Sequence, residues 1–163
     1  MFPWREVADF TLDLAGCTAN RPLHDRLLLE PSFGSGEFLL AEVERLMTAF
    51  QLAGGSGDLS PCIRAAELHS DRFRATERNL EILLSRSNIP KPEATRLLNA
   101  WLISGDFLLS PLPGRFNFVA GNPPYMRQVL LRAALMLPQA LCHALRQSGP
   151  LHSIHRTLTW PAR

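Results

Sequence analysis

Short apolar runs alternate with longer stretches in which apolar residues recur at helical spacing. The residues between the first run (27–29) and the second run (63–68) predict a helix, because apolar side chains recur there at helical spacing. These side chains are Phe38, Leu39, Val43, Leu46, Met47 and Phe50. A second helix is predicted over residues 71–86 and a shorter one after Pro90-Lys91-Pro92, while Val7 to Leu14 predict a helix that ends at Gly16. The runs predicted as strands are residues 27–29, 63–68, 102–103 and 116–120. This alternation predicts an α/β fold with a parallel sheet and right-handed crossovers.

Size and composition are those of one ordinary domain. The chain has 163 residues, of which 46% are hydrophobic, enough for a single core. It contains no uninterrupted apolar run of about eighteen residues, so we expect no membrane span. Glu6, Asp9 and Asp13 interrupt the apolar residues near the N-terminus, which does not fit a secretory signal. We therefore expect a cytoplasmic protein.

The cysteines and histidines do not form a pattern of metal ligands. Cys17, Cys62 and Cys142 are odd in number, far apart and never paired as C-x-x-C. The five histidines lack ligand spacing with one another or with the cysteines, and His69 is interpreted as a solvated residue at a helix start. We expect reduced thiols and no metal site.

The tetrapeptide Asn122-Pro123-Pro124-Tyr125 follows the fourth apolar run and so falls at the carboxyl end of a predicted strand. Open α/β sheets place their chemistry at that edge. The Asn side chain offers a carbonyl acceptor, proline fixes the direction of a backbone carbonyl, and Tyr supplies a stacking face. Together these groups fit a planar molecule with an exocyclic amino group.

A glycine-rich loop lies about ninety residues upstream of this tetrapeptide. The segment from Glu30 to Leu39 reads Glu-Pro-Ser-Phe-Gly-Ser-Gly-Glu-Phe-Leu, which predicts a strand end, a loop and a helix start. Gly34 and Gly36 permit a ligand to approach the backbone closely, and Glu30 can accept hydrogen bonds from a cationic or hydroxyl-bearing cofactor. A Gly-x-Gly loop alone is weak evidence, but its combination with Asn-Pro-Pro-Tyr is specific.

With these two motifs the sequence resembles the S-adenosylmethionine-dependent N6-adenine DNA methyltransferases of restriction-modification systems, in the group whose cofactor motif precedes the catalytic motif. The resemblance covers about residues 3–128. It implies a Rossmann-like class I methyltransferase sheet with helices on both faces. In that family the loop holds the methionine part of the cofactor, an acid ending the second strand binds the ribose hydroxyls, and an Asp-Phe pair flanks the cofactor adenine. The cofactor-binding residues implied here are Glu30, Pro31, Phe33, Gly34, Gly36, Glu67, Leu68, Asp106 and Phe107.

The same resemblance implies that Asn122, Pro123, Pro124 and Tyr125 are catalytic and that the partner is double-stranded DNA with the target adenine flipped out. A restriction or specificity subunit is a further implied partner. One departure concerns the N-terminal segment, where Phe2-Pro3 replaces the family's usual Thr-Pro. The missing hydroxyl puts cofactor affinity in question.

Two alternatives remain open. The first is methylation of a glutamine side chain in a release factor, because its amide nitrogen fits the same Asn-Pro-Pro-Tyr groups. Enzymes of that kind usually carry an Asp in the first motif and a preceding helical domain, so the sequence favours DNA as the substrate. The other alternative is a non-catalytic remnant, because about four predicted strands are fewer than a methyltransferase domain normally has. A purified-protein assay for cofactor binding and methyl transfer distinguishes these readings.

The C-terminal tail, residues 129–163, looks unlike the rest of the chain. It begins with a helical pattern and continues as a polar, basic segment without periodicity or a recognisable target-recognition region. One permitted choice of its codons, read in a neighbouring frame, is similar to the family's downstream Leu-Tyr-x-Pro-Phe-x-Glu run. We therefore expect that the reading frame shifts at some point after Arg127. If the reading frame shifts there, the arginines that follow Asp106 are not evidence of DNA binding.

Overall fold

In the computed structural model, residues 4–112 and 115–121 are described, and they form a parallel sheet flanked by helices. Each strand is short, with two to five residues. The predicted α/β class is confirmed. The elements are α1 (Trp4–Ala15), β1 (Leu28–Glu30), α2 (Glu37–Leu52), β2 (Ile63–Glu67), α3 (Ser70–Arg86), α4 (Lys91–Trp101), β3 (Leu102–Ser104) and β4 (Phe118–Val119).

The four strands are parallel and lie in the order β3-β2-β1-β4. Leu28 of β1 pairs with Ile63 of β2 on one side and with Phe118 of β4 on the other. The strand order therefore reverses at β1, because the chain first moves outward to β3 and then returns to the opposite side of β1. In open α/β sheets, ligands bind in the crevice that such a reversal creates at the carboxyl ends of the strands.

The structure moves several predicted boundaries by one to three residues. The first strand continues through Glu30, and the second ends at Glu67. Trp101 ends α4, and the third strand runs from Leu102 to Ser104, one residue beyond its predicted end. The fourth strand is limited to Phe118–Val119. The tail predicted over residues 129–163 lies outside the described residues.

The core lies between the sheet and the helices. Leu12, Leu39, Leu46, Ile63 and Trp101 are among its fully buried side chains. The indole Nε1 of Trp101 donates to the Leu59 carbonyl oxygen at 2.9 Å, so the ring's one polar atom is satisfied inside the core. Trp101 is therefore a structural residue of the core.

A network of polar contacts holds α1 against α2. The Arg45 guanidinium donates to Asp13 Oδ1 at 2.7 Å, to the Cys17 carbonyl at 2.6 Å, and to the carbonyl and carboxylate oxygens of Asp9. Arg5 of α1 also reaches Glu44 of α2. Because α1 precedes β1 and α2 follows it, this network holds together the two helices that flank β1 in the sequence.

The described helices include none that is long and apolar enough to cross a membrane. Across the same residues, no group of three or more His, Cys, Asp or Glu side chains has the arrangement of a metal site.

Candidate active site

A cavity of about 390 Å³ opens at the carboxyl ends of β1 and β2, beside the point where the strand order reverses. Its volume falls within the range of roughly 300–1,000 Å³ that small-molecule sites occupy. Residues from two separate parts of the chain line it, one in the glycine-rich loop and the other at the end of β2. The predicted site residues that line it are Glu30, Phe33, Gly34, Glu67 and Leu68.

The glycine-rich loop turns from β1 into α2 through two residues with left-handed backbone. Gly34 has φ +55° and Gly36 has φ +85°, a region in which a side chain is strained. Gly36 also lies tightly against α3, since a Cβ added there would be only 2.5 Å from Cγ2 of Thr76. Gly36 is thus needed for the turn and for the close approach of α2 to α3.

Glu67 ties this loop to the end of β2. Its Oε2 accepts a hydrogen bond from the Gly34 amide and its Oε1 accepts one from the His69 amide, each at 2.8 Å. The Phe33 amide donates in addition to the Ala66 carbonyl at 3.0 Å. An ionised carboxylate has about four acceptor positions, so two remain for a ligand after both backbone amides are satisfied.

Glu30 closes the cavity at the end of β1. It is 1% exposed, and within the described residues its Oε2 has no hydrogen-bond partner. Burial, followed by the nearby carboxyl groups of Glu42, Glu37 and Glu67, raises the pKa of Glu30 well above its usual value. A buried carboxyl with an unsatisfied oxygen at a cavity wall favours a ligand that brings a hydrogen-bond donor or a positive charge.

Asp106 and Phe107 follow β3 at the same edge of the sheet. The Gly105 amide donates to the Glu67 carbonyl oxygen at 3.0 Å, which brings this segment beside the end of β2. Asp106 is exposed, and its Oδ1 accepts from the Leu108 amide at 2.9 Å to cap a short 3-10 turn. Neither Asp106 nor Phe107 is among the residues that line the cavity.

The predicted catalytic residues Asn122, Pro123, Pro124 and Tyr125 lie outside the described residues, but the residue before them does not. Gly121 has φ +155° and lies against Glu30: a Cβ added there would be 3.3 Å from Glu30 Cγ and 3.7 Å from Pro31 Cδ. The Ala120 amide donates to the Leu29 carbonyl at 3.0 Å. The chain therefore leaves β4 in contact with the acid at the cavity wall.

Several lining residues were not predicted from the sequence as site residues. Phe38 belongs to the apolar pattern that predicts α2. It is 7% exposed, so it packs in the core, and it also borders the cavity. His69 and Arg72 follow Glu67 within about one helical turn, which is the signal that would have indicated them. The full set is Ser32, Ser35, Glu37, Phe38, His69 and Arg72.

Comparison with known proteins identifies relatives among the type II methyltransferases. The chain is 50% identical over 140 residues to the type II methyltransferase M.PaeR7I of Pseudomonas aeruginosa. It is 41% identical to the type II methyltransferase M.XhoI of Xanthomonas vasicola and 39% identical to M.BstVI of Geobacillus stearothermophilus. The chain is a homologue of type II methyltransferases. The resemblance inferred from the two motifs is thereby confirmed at the level of the family.

The alignments cover most of this chain and a minor part of each relative. They include 80–83% of the chain but only 24–26% of the relatives, so the chain spans about a quarter of the length of the proteins it matches. No protein-family model matches the chain, and no solved structure matches it.

Proposed function

We propose that this chain forms the cofactor-binding and catalytic part of a DNA methyltransferase that transfers a methyl group from S-adenosylmethionine to the N6 amino group of adenine. The single observation that carries the proposal is the contact of Gly121 with Glu30. It puts Gly121, the residue before the Asn-Pro-Pro-Tyr tetrapeptide, at the wall of a cavity formed by the glycine-rich loop. The names of the homologues support methyl transfer in general.

The donor set around the cavity fits this cofactor. Glu30 offers a buried, unsatisfied oxygen to a positively charged group, as the ammonium or sulfonium of S-adenosylmethionine requires. Glu67 retains acceptor positions for ribose hydroxyls after it has bound the Gly34 and His69 amides. The half-buried Phe107 follows β3 at the same edge, where we expect it to pack near the adenine of the cofactor.

The chain's own contribution to catalysis is orientation. The bound cofactor supplies an electrophilic methyl group, and the protein positions the nucleophile against it. We expect the Asn122 side-chain carbonyl and the Pro123 backbone carbonyl to accept the two amino hydrogens of adenine. The nitrogen lone pair then points away from the ring plane toward the methyl group. Tyr125 stacks on the flipped base and offsets part of its unstacking, which costs a few kcal/mol.

The first test is a binding and transfer assay on the purified chain. We expect calorimetric binding of S-adenosylmethionine and incorporation of tritiated methyl groups into adenine of double-stranded DNA. Failure to bind the cofactor would contradict the proposal. Binding without transfer would favour a non-catalytic portion.

Replacing Asn122 with Ala separates cofactor binding from catalysis. The variant loses one of the two acceptors for the amino group, so we expect at least a hundredfold loss of methyl transfer, in line with the removal of a single transition-state hydrogen bond. Cofactor affinity should remain within about twofold, because the acceptor contacts the base rather than the cofactor.

A parallel loss of both properties in Asn122→Ala would contradict this division of roles. Asn117→Ala is a control, because Asn117 precedes β4 and its Oδ1 accepts from the Leu27 amide at 2.9 Å. This second variant should lower stability without a selective effect on transfer.

A further inference from the structure

Glu42 is a second buried carboxyl group, and it lies on α2 one helical turn after Phe38, which borders the cavity. It lies on the inner side of α2, 0% exposed, and neither of its carboxyl oxygens has a hydrogen-bond partner within the described part of the chain. Glu30, whose Oε2 is likewise unsatisfied, lies close enough for the two groups to influence each other's ionisation. A fully buried, unpaired carboxyl is costly to a fold, so its presence calls for a physical account.

The groups that influence this pair are predominantly acidic. Burial raises the pKa of Glu42 to about 8, and burial together with neighbouring carboxyls raises that of Glu30. Burial and then Glu42 also raise the pKa of the Cys17 thiol, which follows α1. The neighbouring acids that act on Glu30 are Glu42 and Glu37 of α2 and Glu67 of β2.

Basic groups are nearby, but none pairs with either carboxyl. His69 and Arg72 reach the cavity wall from the start of α3, and His24 directs its ring toward Phe50 from the turn before β1. Arg45 of α2 binds Asp9 and Asp13 instead. Among the described residues, therefore, no arginine, lysine or histidine forms an ion pair with Glu30 or Glu42.

We propose that Glu42 is a positioning residue that acts through Glu30 and makes this end of the cavity select for a ligand with an additional positive charge. The inference rests on the proposed function, and the selection is then for the sulfonium cofactor S-adenosylmethionine over its demethylated product, S-adenosylhomocysteine. The product keeps the ammonium group but has lost the charge on sulfur. Glu42 therefore reduces inhibition by the product.

The physical basis is the attraction between a buried carboxylate and a cation in a medium of low dielectric constant. With an empty cavity at neutral pH, Glu42 holds its proton, since no cation offsets its charge. A cation beside Glu30 stabilises the ionised form of both carboxyls, and the Glu42 proton leaves to the solvent. Preference for the more positively charged ligand should therefore increase with pH as Glu42 ionises.

The test compares the affinities of the 163-residue chain for S-adenosylmethionine and S-adenosylhomocysteine at pH 6.5 and 8.5, with Glu42→Gln and the control Glu81→Gln. Glu81 is an exposed residue of α3. We expect Glu42→Gln to lower the preference for the sulfonium ligand by about three- to tenfold at pH 8.5, equivalent to up to one pKa unit, and by less at pH 6.5. The control should preserve the wild-type ratio.

Proton release adds a readout that a merely structural role would not change. Calorimetry in buffers of different ionisation enthalpy gives the number of protons released per ligand bound, and Glu42→Gln should release fewer than the wild type at pH 7.5. Unchanged proton release and an unchanged ligand ratio in Glu42→Gln would overturn the role of Glu42 alone. Absence of binding of both ligands to the wild type would overturn the proposed function as well.

Discussion

The carboxyl groups around α2 form two clusters with opposite surroundings. Asp9 and Asp13 of α1 are accessible to solvent and receive hydrogen bonds from Arg45. Glu30 of β1 and Glu42 of α2 are buried, and within the described residues neither has a cationic partner. The same functional group is thus paired in one cluster and left with unsatisfied oxygens in the other.

The pKa directions follow this difference. Partial burial alone would raise the pKa of Asp9, but hydrogen bonds from Arg5 and Arg45 lower it below its usual value. In the described part of the chain Glu42 has no such partner, and burial raises its pKa to about 8. The paired acids stabilise the contact between α1 and α2. The unpaired acids lower the stability of the fold, and their unsatisfied oxygens can accept hydrogen bonds from a ligand. The two clusters of acids therefore make opposite contributions to the stability of the fold.

The largest effect is expected at the turn that shapes the cavity. Gly36→Ala should destabilise the fold by about 3 kcal/mol, because left-handed backbone strain adds to an overlap with Thr76 Cγ2. Urea unfolding measures the loss. Gly34→Ala is the matched control, since an added Cβ there has no atom within 4 Å, and it should cost only about 1 kcal/mol. Equal losses in the two variants would show that contact with α3 is unimportant.

The next effect concerns the unpaired acids. The raised pKa means that folded Glu42 retains its proton after the unfolded chain has released it, so stability falls as pH rises from about 5 to 8. Glu42→Gln should match the wild type near pH 5 and exceed it by roughly 2 kcal/mol at pH 8. Urea unfolding across this range measures the difference. A variant whose stability falls with pH as steeply as that of the wild type would contradict the assignment.

A smaller effect on stability is expected for the paired acids, Asp9 and Asp13. Arg45→Met removes the donor to Asp9, Asp13 and the Cys17 carbonyl while keeping much of the apolar stem, and should cost about 1–2 kcal/mol. Thermal unfolding at low and high salt measures the loss. Arg74→Met is the control. Among the described residues Arg74 forms an ion pair with exposed Asp71 alone, so the variant should change stability by less than about 0.5 kcal/mol.

Most of the fold could be predicted from the sequence. The spacing of Phe38, Leu39, Val43 and Leu46 marks one face of α2, and those side chains are buried as expected. Strand ends were harder, because short strands carry few residues and their limits depend on pairing. Trp101 directly precedes the apolar residues of the third strand, but it belongs to the end of α4. Its buried ring donates a hydrogen bond to the Leu59 carbonyl.

The candidate site was predicted in part. The sequence indicated Glu30, Gly34 and Glu67, and the structure brings them to one cavity. It did not indicate Glu42, because a glutamate on an amphipathic helix is ordinarily interpreted as solvent-exposed. The assignments of Asn122 to Tyr125 remain predictions, since these residues lie outside the described ranges.

The order of motifs along the chain determined the fold class and the family, because hydrophobic periodicity and glycine placement are local properties of sequence. Burial of Glu42, contact of Gly36 with Thr76 and contact of Gly121 with Glu30 were decided only by tertiary structure. Each depends on the distance between residues far apart in sequence, which is set by how helices pack on the sheet and how strands pair. Local spacing carries no information about that distance.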